Sequence, residues 1–330
     1  MSQNNPLVSI CIPAYNHEKY VQSCIQSVID QDYDNIELIV IDDGSKDNTW
    51  AKIQEMASLC RKRFNRFIAL QQENQGAAAA SYKMRNIARG EFRGGIASDD
   101  QYLPGAITAL IKPMLEDERI GLVVGVNEIM DSDGKTCYWD QHRHIVFDRR
   151  AAAYTTFDQY LMNDSKVDFY SDRFGSYQEL IQSNHIPNGT LCRSGKFALP
   201  LPQSRGRVLE DWWFHLQFCK VVKYKAVPQH TFRYRWHSDN TIQKPSYISE
   251  AYLNTLLAER NLLLCNDELI KFRDVAADKL RFFDIKKRII GPVKLLVEHR
   301  LMYDIIEIGT VKYHVPMWRI RVDPNKGELT

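Results

Sequence analysis

The sequence lacks several features that would place a chain of 330 residues in a familiar class. Its seven cysteines are scattered and form no C-x-x-C pair, which argues against a disulfide framework and a structural zinc site. No apolar run approaches the roughly 20 residues of a membrane-spanning helix. The stretch MSQNNPLVSICIP has no basic segment before an apolar run, so no ordinary signal peptide is expected. We therefore expect a cytoplasmic protein, lying at most against the inner face of the cell membrane.

The sequence also lacks a charge excess and the common phosphate-binding loops. Lys and Arg (43) nearly balance Asp and Glu (41), which argues against nucleic acid as a partner and against an acidic, disordered chain. There is no G-x-G-x-x-G after the first strand and no G-x-x-x-x-G-K-[ST] anywhere. If phosphates are bound, another arrangement must hold them.

What is present is an alternation of strand and helix patterns over the first 130 residues. LVSICIPAYN and IELIVIDD are typical of buried strands, and Glu18 to Asp30 between them has helical spacing. The alternation continues with a helix from Thr49 to about Arg63, a strand at RFIALQQ, a helix from Pro104 to Leu115 and a strand in IGLVVGVNEIM. This order predicts an α/β fold with a Rossmann-like, mostly parallel central sheet flanked by helices.

The rest of the chain is less regular. Residues 138–185 are aromatic and weakly periodic, which is typical of a functional loop or lid. After about residue 247 the pattern becomes helical and predicts a C-terminal helical appendage.

Polar residues follow three of the predicted strands, where an open α/β sheet binds ligands. Asp42 and Asp43 come after IELIVI, Tyr15 follows the first strand, and Asp99 and Asp100 follow a later one. Oxygen ligands of this kind suit Mg²⁺ or Mn²⁺, so SDD at 98–100 is the candidate metal-binding motif. The alternative is that these acids only cap helices and satisfy turns.

The segment VSICIPAYNHEKYVQSCIQSVIDQDYDNIELIVIDDGSKDNT resembles the N-terminal signature of the family 2 glycosyltransferases, which have the GT-A fold. The resemblance implies that Pro13, Tyr15 and Asp43 recognise the nucleotide base, with uracil expected. Asp42 would support the turn.

Three later motifs continue the resemblance in the family's order. SDD implies that Asp100 binds the metal directly and that Asp99 contacts the ribose or a metal-bound water. LEDWW implies Asp211 as general base, with Glu210 positioning the acceptor or acting as the rival base. YRWHSDNT is similar to the segment in which a histidine approaches the metal and diphosphate, which implies His237.

The sequence departs from the family at a residue that normally contacts the nucleotide-sugar donor. Where family members often have Ala-Arg-Asn, NQGAAAASYKMRNIARGEF places Ser81 and Tyr82. Lys83 or Arg85 is the candidate substitute for the usual arginine.

Together these motifs imply a metal-dependent, inverting glycosyltransferase of the hexosyltransferase type. Its partners would be a nucleotide-sugar donor, with UDP expected, and a saccharide or lipid-linked glycan acceptor in bacterial surface polysaccharide synthesis; Mn²⁺ or Mg²⁺ would be the cofactor. Residues 1–245 would form the catalytic domain, with a nucleotide-sugar-binding half at 1–130 and an acceptor-binding half at 131–245. Residues 246–330 would form the helical C-terminal region. The sequence makes no prediction of oligomeric state.

Two other functions remain open at this point. A nucleotidyltransferase could share the sheet, but it would usually carry a Gly-rich, Lys-bearing loop near the first strand, and none is present. A nucleotide-sugar-binding module without turnover would be marked by loss of SDD or ED, and the chain has both.

Several motifs also have purely structural interpretations. Glu210 and Asp211 could be solvated acids at a helix start, and His237 an ordinary polar histidine. His142 and His144 have strand spacing and are weak metal candidates. The helix predicted at 271–288 carries seven basic and three acidic residues, and either contacts an anionic membrane through its basic face or packs as a solvated helix.

Overall fold

The computed structural model describes residues 5–194, 200, 202, 207–243, 245–289, 297–299, 304–308, 311–315, 318–320, 322–323 and 328–329. The chain divides into two compact units. The first comprises Met1–Gly175, His185–Ala198 and Val222–His237, and the second comprises Ser176–Asn184, Leu199–Val221 and Ser238–Thr330. The domain division expected at residues 130 and 245 stays a prediction.

The first unit contains one sheet and the helices that cover it. Its strands are β1 (Val8–Ala14), β2 (Ile36–Asp42), β3 (Arg66–Gln71), β4 (Phe92–Gly95), β5 (Gln101–Tyr102), β6 (Ile120–Met130), β7 (Thr136–Trp139), β8 (Ile145–Val146), β9 (Leu191–Arg193) and β10 (Lys223–Arg235). Its helices are α1 (Val21–Ile29), α2 (Thr49–Arg63), α3 (Ala77–Ile87), α4 (Ala106–Glu116) and α5 (Phe157–Ser165), with a 3-10 turn at Arg149–Ala151.

The sheet has the order β3-β2-β1-β4-β9-β6-β10-β5, and β7 extends it by pairing with β6 and β8. Strands β3, β2, β1 and β4 are parallel, as the strand-helix-strand pattern predicts. Strand β9 runs antiparallel to both β4 and β6, while β6 and β10 are parallel. The predicted α/β class is confirmed, with a parallel half and a mixed half.

The two faces of the sheet are covered by different helices because strand side chains alternate between faces. In β1, Val8, Ile10 and Ile12 pack with buried residues of α1, α2 and α4. Cys11 points the other way, into a smaller cluster with Ala80 and Met84 of α3. The loops that follow the parallel strands therefore emerge from a sheet covered on both sides.

Sequence analysis assigned no helix between the strand at RFIALQQ and Pro104, and so missed helix α3. Of its eleven residues, only Ala80 and Met84 are buried, so the apolar stripe is too narrow to reveal the helical period. The irregular region at 138–185 contains short elements, including β8 and α5, and its role as a lid stays a prediction.

The second unit contains helices α6 (Tyr177–Leu180), α7 (Glu210–Phe218), α8 (Pro245–Leu264) and α9 (Ile270–Ile289), with 3-10 turns at Thr241–Gln243 and Asp267–Leu269. Six short strands follow: β11 (Val297–His299), β12 (Asp304–Ile308), β13 (Val311–Val315), β14 (Trp318–Ile320), β15 (Val322–Asp323) and β16 (Glu328–Leu329). Among the described residues, no helix is long and apolar enough to span a membrane. The side chains at 281–288, part of the predicted basic face, lie outside those described.

A buried carboxylate ties the parallel strands to the loop before β4. Glu37, which has no exposed surface, accepts hydrogen bonds from Ser9 Oγ (2.5 Å), Arg89 N (2.5 Å) and Gly90 N (3.1 Å), and pairs with Arg66 at 2.8 Å. Burial by itself raises the pKa of Glu37, but the hydrogen bonds from Ser9 and Arg89 and the Arg66 charge outweigh it and lower the pKa. The ionised carboxylate is therefore the form that the fold requires.

We expect Glu37→Ala to lower the free energy of unfolding by about 3 kcal/mol, because it leaves buried donors and Arg66 without an acceptor. Urea unfolding at pH 7 measures the loss. Because the folded-state pKa of Glu37 is lowered, its stabilisation is present above the unfolded-state pKa and is lost as pH falls through the folded-state value. The difference between the two proteins should accordingly shrink on acidification. The exposed Glu55, changed to Ala as a control, should have little effect; an equal loss in both variants would contradict the assignment.

Candidate active site

The loops that follow β1 and β2 are tied to each other by hydrogen bonds. Asn16, at a positive φ of 53°, receives a bond from Lys46 N to its side-chain oxygen (2.8 Å) and donates its own N–H to Ser45 Oγ (2.9 Å). His17 N donates to Thr49 Oγ1 at 2.8 Å. The start of α2 therefore fixes the backbone from which the His17 ring projects.

Asp42 lies inside this pair of loops. It is completely buried, accepts a hydrogen bond from the Ser45 hydroxyl, and accepts a second from Gln71 Nε2 at 2.8 Å. Pro13 lies near the end of β1, and Tyr15 beyond it is 43% exposed. The nucleotide-binding roles of Pro13, Tyr15 and Asp42 stay predictions.

Asp43 organises the loop after β3. One of its oxygens accepts hydrogen bonds from Gln72 Nε2 (2.8 Å) and Gln75 N (3.0 Å), and the other from Gly76 N (2.8 Å). Gly44, next along the chain, has φ +74°, and a Cβ there would lie 2.8 Å from Asn74 N. Asp43 thus shapes the loop at 72–76, and its predicted contact with a base is an additional role that stays a prediction.

Of the two candidates for the usual arginine, Lys83 is joined to this loop by a hydrogen bond. Its Nζ donates to Gln72 Oε1 at 3.2 Å, and Gln72 in turn donates to Asp43. Arg85 is half-buried, and burial lowers its pKa.

Two histidines distant in sequence converge on Asp99. His237 Nε2 lies 3.0 Å from Asp99 Oδ2, and His17 Nε2 lies 3.9 Å from the same oxygen. Asp99 is 7% exposed, and the three ligand atoms lie within 4.8 Å of one another. The Tyr20 ring lies 5.3 Å from the His237 ring and 5.8 Å from the His17 ring, centroid to centroid.

The cluster favours a charged carboxylate. Burial raises the pKa of Asp99, but the hydrogen bond with His237 and the charge of His17 outweigh this effect and lower the pKa. An ionised carboxylate beside two imidazole nitrogens is a donor set for a divalent cation. Two ligands about 2.1 Å from one metal are at most about 4.2 Å apart, so neither distance to Asp99 exceeds the span of one such ion.

Asp100 is bound differently from its neighbour. It is 1% exposed; one oxygen accepts from Arg235 N at 2.8 Å, and Asn188 Nδ2 lies 3.5 Å from the other. Burial, followed by the negative charge of Asp99, raises the pKa of Asp100 well above its usual range. The structure thus groups His237 with Asp99 and not with Asp100, the carboxylate that the sequence assigned to the metal. Direct metal binding by Asp100 stays a prediction.

Glu210 and Asp211 lie in the second unit, at the first turn of α7. Asp211 is exposed; one of its oxygens accepts from Trp212 N at 2.7 Å and the other from Asn184 Nδ2 at 2.9 Å. Asn184 therefore fixes the orientation of the predicted base. Trp212 is fully buried and donates its ring N–H to Leu180 O, so it is a core residue.

Sequence analysis did not single out His17, Asn184 or Arg235. His17 stood in the quoted N-terminal segment, two residues after Tyr15, but no local pattern linked it to Asp99. The weaker metal candidates, His142 and His144, lie at exposed positions, and His144 pairs with Asp140 at 3.0 Å. Over the described residues, the group of three metal-ligating side chains is at His17, Asp99 and His237.

Known structures share this fold. S. aureus TarS 1–349, crystallised in complex with UDP-GlcNAc, matches 84% of this chain and 73% of its own with a TM-score of 0.55 and 16% identity. The mannosyltransferase PcManGT from Pyrobaculum calidifontis, in complex with GDP-Man and Mn²⁺, matches 78% of this chain and 65% of its own with a TM-score of 0.53 and 15% identity. The chain has the GT-A fold.

The family follows from the sequence match. The pattern of glycosyl transferase family 2 covers residues 9–182, and the chain belongs to this family. EpsH of Bacillus subtilis (strain 168) is 29% identical over 72% of this chain and 63% of its own length. The chondroitin synthase of Escherichia coli is 35% identical over 39% of this chain and 18% of its own length. The chain therefore spans less than two thirds of the curated relatives it matches.

Glu210 should make stability depend on pH. Burial and the neighbouring Asp211 charge raise the pKa of Glu210 from 4.5 to about 7. Between these two pKa values the native state binds more protons than the unfolded state. The contribution of protonated Glu210 to stability is therefore complete below the unfolded-state pKa and is lost as pH rises through about 7. We expect Glu210→Gln to gain thermal stability relative to the unsubstituted protein as pH rises from 5 to 8.

Thermal unfolding midpoints of both proteins across this range measure the effect. Glu250→Gln, at an exposed position of α8, is the matched control and should follow the unsubstituted protein at every pH. Parallel curves for Glu210→Gln and the unsubstituted protein would contradict the raised pKa of Glu210.

Proposed function

We propose that this chain transfers a sugar from a nucleotide-sugar donor to a hydroxyl of a saccharide or lipid-linked glycan acceptor, with a divalent cation and with inversion at the anomeric carbon. The observation that carries the proposal is the convergence of Asp99, His237 and His17 beside the loops after β1 and β2. Membership of family 2 supports the same reaction.

The first unit would bind the nucleotide-sugar donor. Pro13, Tyr15 and Asp43 would contact the base, with Asp42 supporting the turn that carries Asp43. UDP is the proposed nucleotide. Two solved structures of the same fold contain UDP-GlcNAc and GDP-Man. UDP- and GDP-sugars should therefore be compared as donors.

The cation would be held in the same unit. Asp99 and His237 supply a carboxylate oxygen and an imidazole nitrogen 3.0 Å apart, and PcManGT, of the same fold, was solved with Mn²⁺. When bound, a divalent cation would offset the negative charge that develops on the departing nucleoside diphosphate. Asp100, the carboxylate that the sequence assigns to the metal, accepts a hydrogen bond from Arg235 N on one oxygen and is the alternative ligand.

The acceptor half concerns α7. Asp211 would accept the proton of the attacking hydroxyl, since a carboxylate held at a fixed orientation is an effective general base. Its hydrogen bonds from Asn184 and Trp212 N supply that orientation. Glu210 would position the acceptor. One base with one metal site favours a single displacement, which inverts the sugar and requires no separate protein nucleophile.

The setting is proposed from the relatives and from the cysteines. A chondroitin synthase among the relatives supports a role in bacterial surface polysaccharide synthesis. Seven free cysteines, five of them buried, suit a reducing cytoplasm. Contact of the C-terminal helices with the inner face of the membrane is part of the same proposal and would bring the enzyme to a lipid-linked acceptor.

Two isosteric substitutions separate the roles. We expect Asp211→Asn to keep the Mn²⁺-dependent rise in melting temperature with the donor but to lose about 10² to 10⁴ in turnover, because an amide cannot accept the proton. Asp99→Asn should lose the Mn²⁺-dependent rise itself. Thermal shift with UDP- and GDP-sugars, with and without Mn²⁺, followed by release of nucleoside diphosphate, measures both quantities.

Asp140→Asn, at a turn outside the proposed site, is the control and should retain binding and turnover. Near-normal turnover by purified, folded Asp211→Asn would remove it as base. Absence of both binding and turnover with every donor would refute glycosyl transfer, and binding without turnover would favour a nucleotide-sugar-binding module.

A further inference from the structure

The His17 ring is presented to Asp99 by contacts on both sides. Its backbone N–H donates to Thr49 Oγ1, and its Nδ1 lies 2.7 Å from Ser98 Oγ, which is almost fully buried. With the Nδ1–H donating to the Ser98 hydroxyl, the lone pair is on Nε2, the atom 3.9 Å from Asp99 Oδ2. A hydrogen bond to one ring nitrogen that turns the other nitrogen towards a shared centre is the usual support of a metal-binding histidine.

The three ligand atoms come from segments that the fold itself holds. His17 follows β1, Asp99 lies in the loop between β4 and β5, and His237 follows β10, so each belongs to the first unit. Arg235 fixes the Asp99 backbone by donating from Nε to its carbonyl oxygen at 2.6 Å. The three metal-ligating side chains are therefore held in place by contacts within the protein itself.

We propose that His17 is a third protein ligand, and that His17, Asp99 and His237 form a site that binds a transition-metal cation before the donor arrives and in preference to Mg²⁺. This rests on the proposed function, which needs a divalent cation here. Two imidazoles and one carboxylate suit a transition metal such as Co²⁺ or Zn²⁺, whereas Mg²⁺ prefers oxygen ligands and retains its waters. Three protein ligands leave coordination positions for the oxygens of a diphosphate.

The test uses the full chain, stripped of metal by a chelator and titrated with Co²⁺ without nucleotide while the visible absorption of the bound ion is recorded. We expect one Co²⁺ per chain and no displacement by millimolar Mg²⁺. His17→Asn should weaken binding by about tenfold or more, since loss of a supporting partner alone costs 10 to 100-fold. Asparagine keeps a polar group near Nδ1, which can still bond to Ser98, but removes Nε2.

His144→Asn is the matched control, because His144 also pairs with a carboxylate, Asp140, at an exposed position. It should bind Co²⁺ as the unsubstituted chain does. Ser98→Ala, a second variant that keeps every ligand, should weaken binding by about tenfold through loss of the bond that orients His17. Far-ultraviolet circular dichroism checks that each variant is folded.

The outcomes separate this inference from the proposed function. Equal Co²⁺ affinity of His17→Asn and the unsubstituted chain, binding that requires added UDP, or ready displacement by Mg²⁺ would each overturn the inference while leaving glycosyl transfer standing. Binding as expected without turnover of any nucleotide sugar would refute the transfer and leave the metal site intact.

Discussion

A carboxylate removed from water must receive hydrogen bonds or an ion pair, and this constraint governs the carboxyl ends of the parallel strands. Asp42, Asp43, Asp99 and Asp100 are all buried there. Their donors come from other segments: Gln71 and Gly76 for the first pair, and His237 and Arg235 N for the second. Satisfying these four groups therefore fixes the loops at this edge of the sheet.

The same constraint shifts the pKa values of two adjacent acids, Asp99 and Asp100, in opposite directions. Asp100 is enclosed by the backbone of β10 and by Asn188, and burial raises its pKa. Asp99 instead faces two imidazoles, which lower its pKa and leave a charged oxygen between the His17 and His237 rings. The difference in pKa depends on which side of the loop each carboxylate occupies. The sequence of two adjacent aspartates does not indicate this.

In the second unit, buried polar groups again depend on partners that are distant in sequence. Glu259 is fully buried and accepts hydrogen bonds from Tyr177 (2.6 Å) and Gln217 (2.6 Å) as well as the Lys220 ammonium (2.8 Å), which joins α6, α7 and α8. The same assembly brings Asn184 to Asp211 at the start of α7. Support of the predicted base is thus a consequence of helix packing.

The sequence by itself determined the α/β class, the elements β1, α1, β2 and α2, and the residue types gathered at the strand ends, because hydrophobic periodicity and turn chemistry are local. It missed α3, whose buried stripe is too narrow to show a period. Only the tertiary structure decided that His17 joins Asp99 and His237, since those residues are separated by 82 and 138 positions and no spacing rule relates them. Long-range strand order brings them together, and that order is set by burial of the whole sheet.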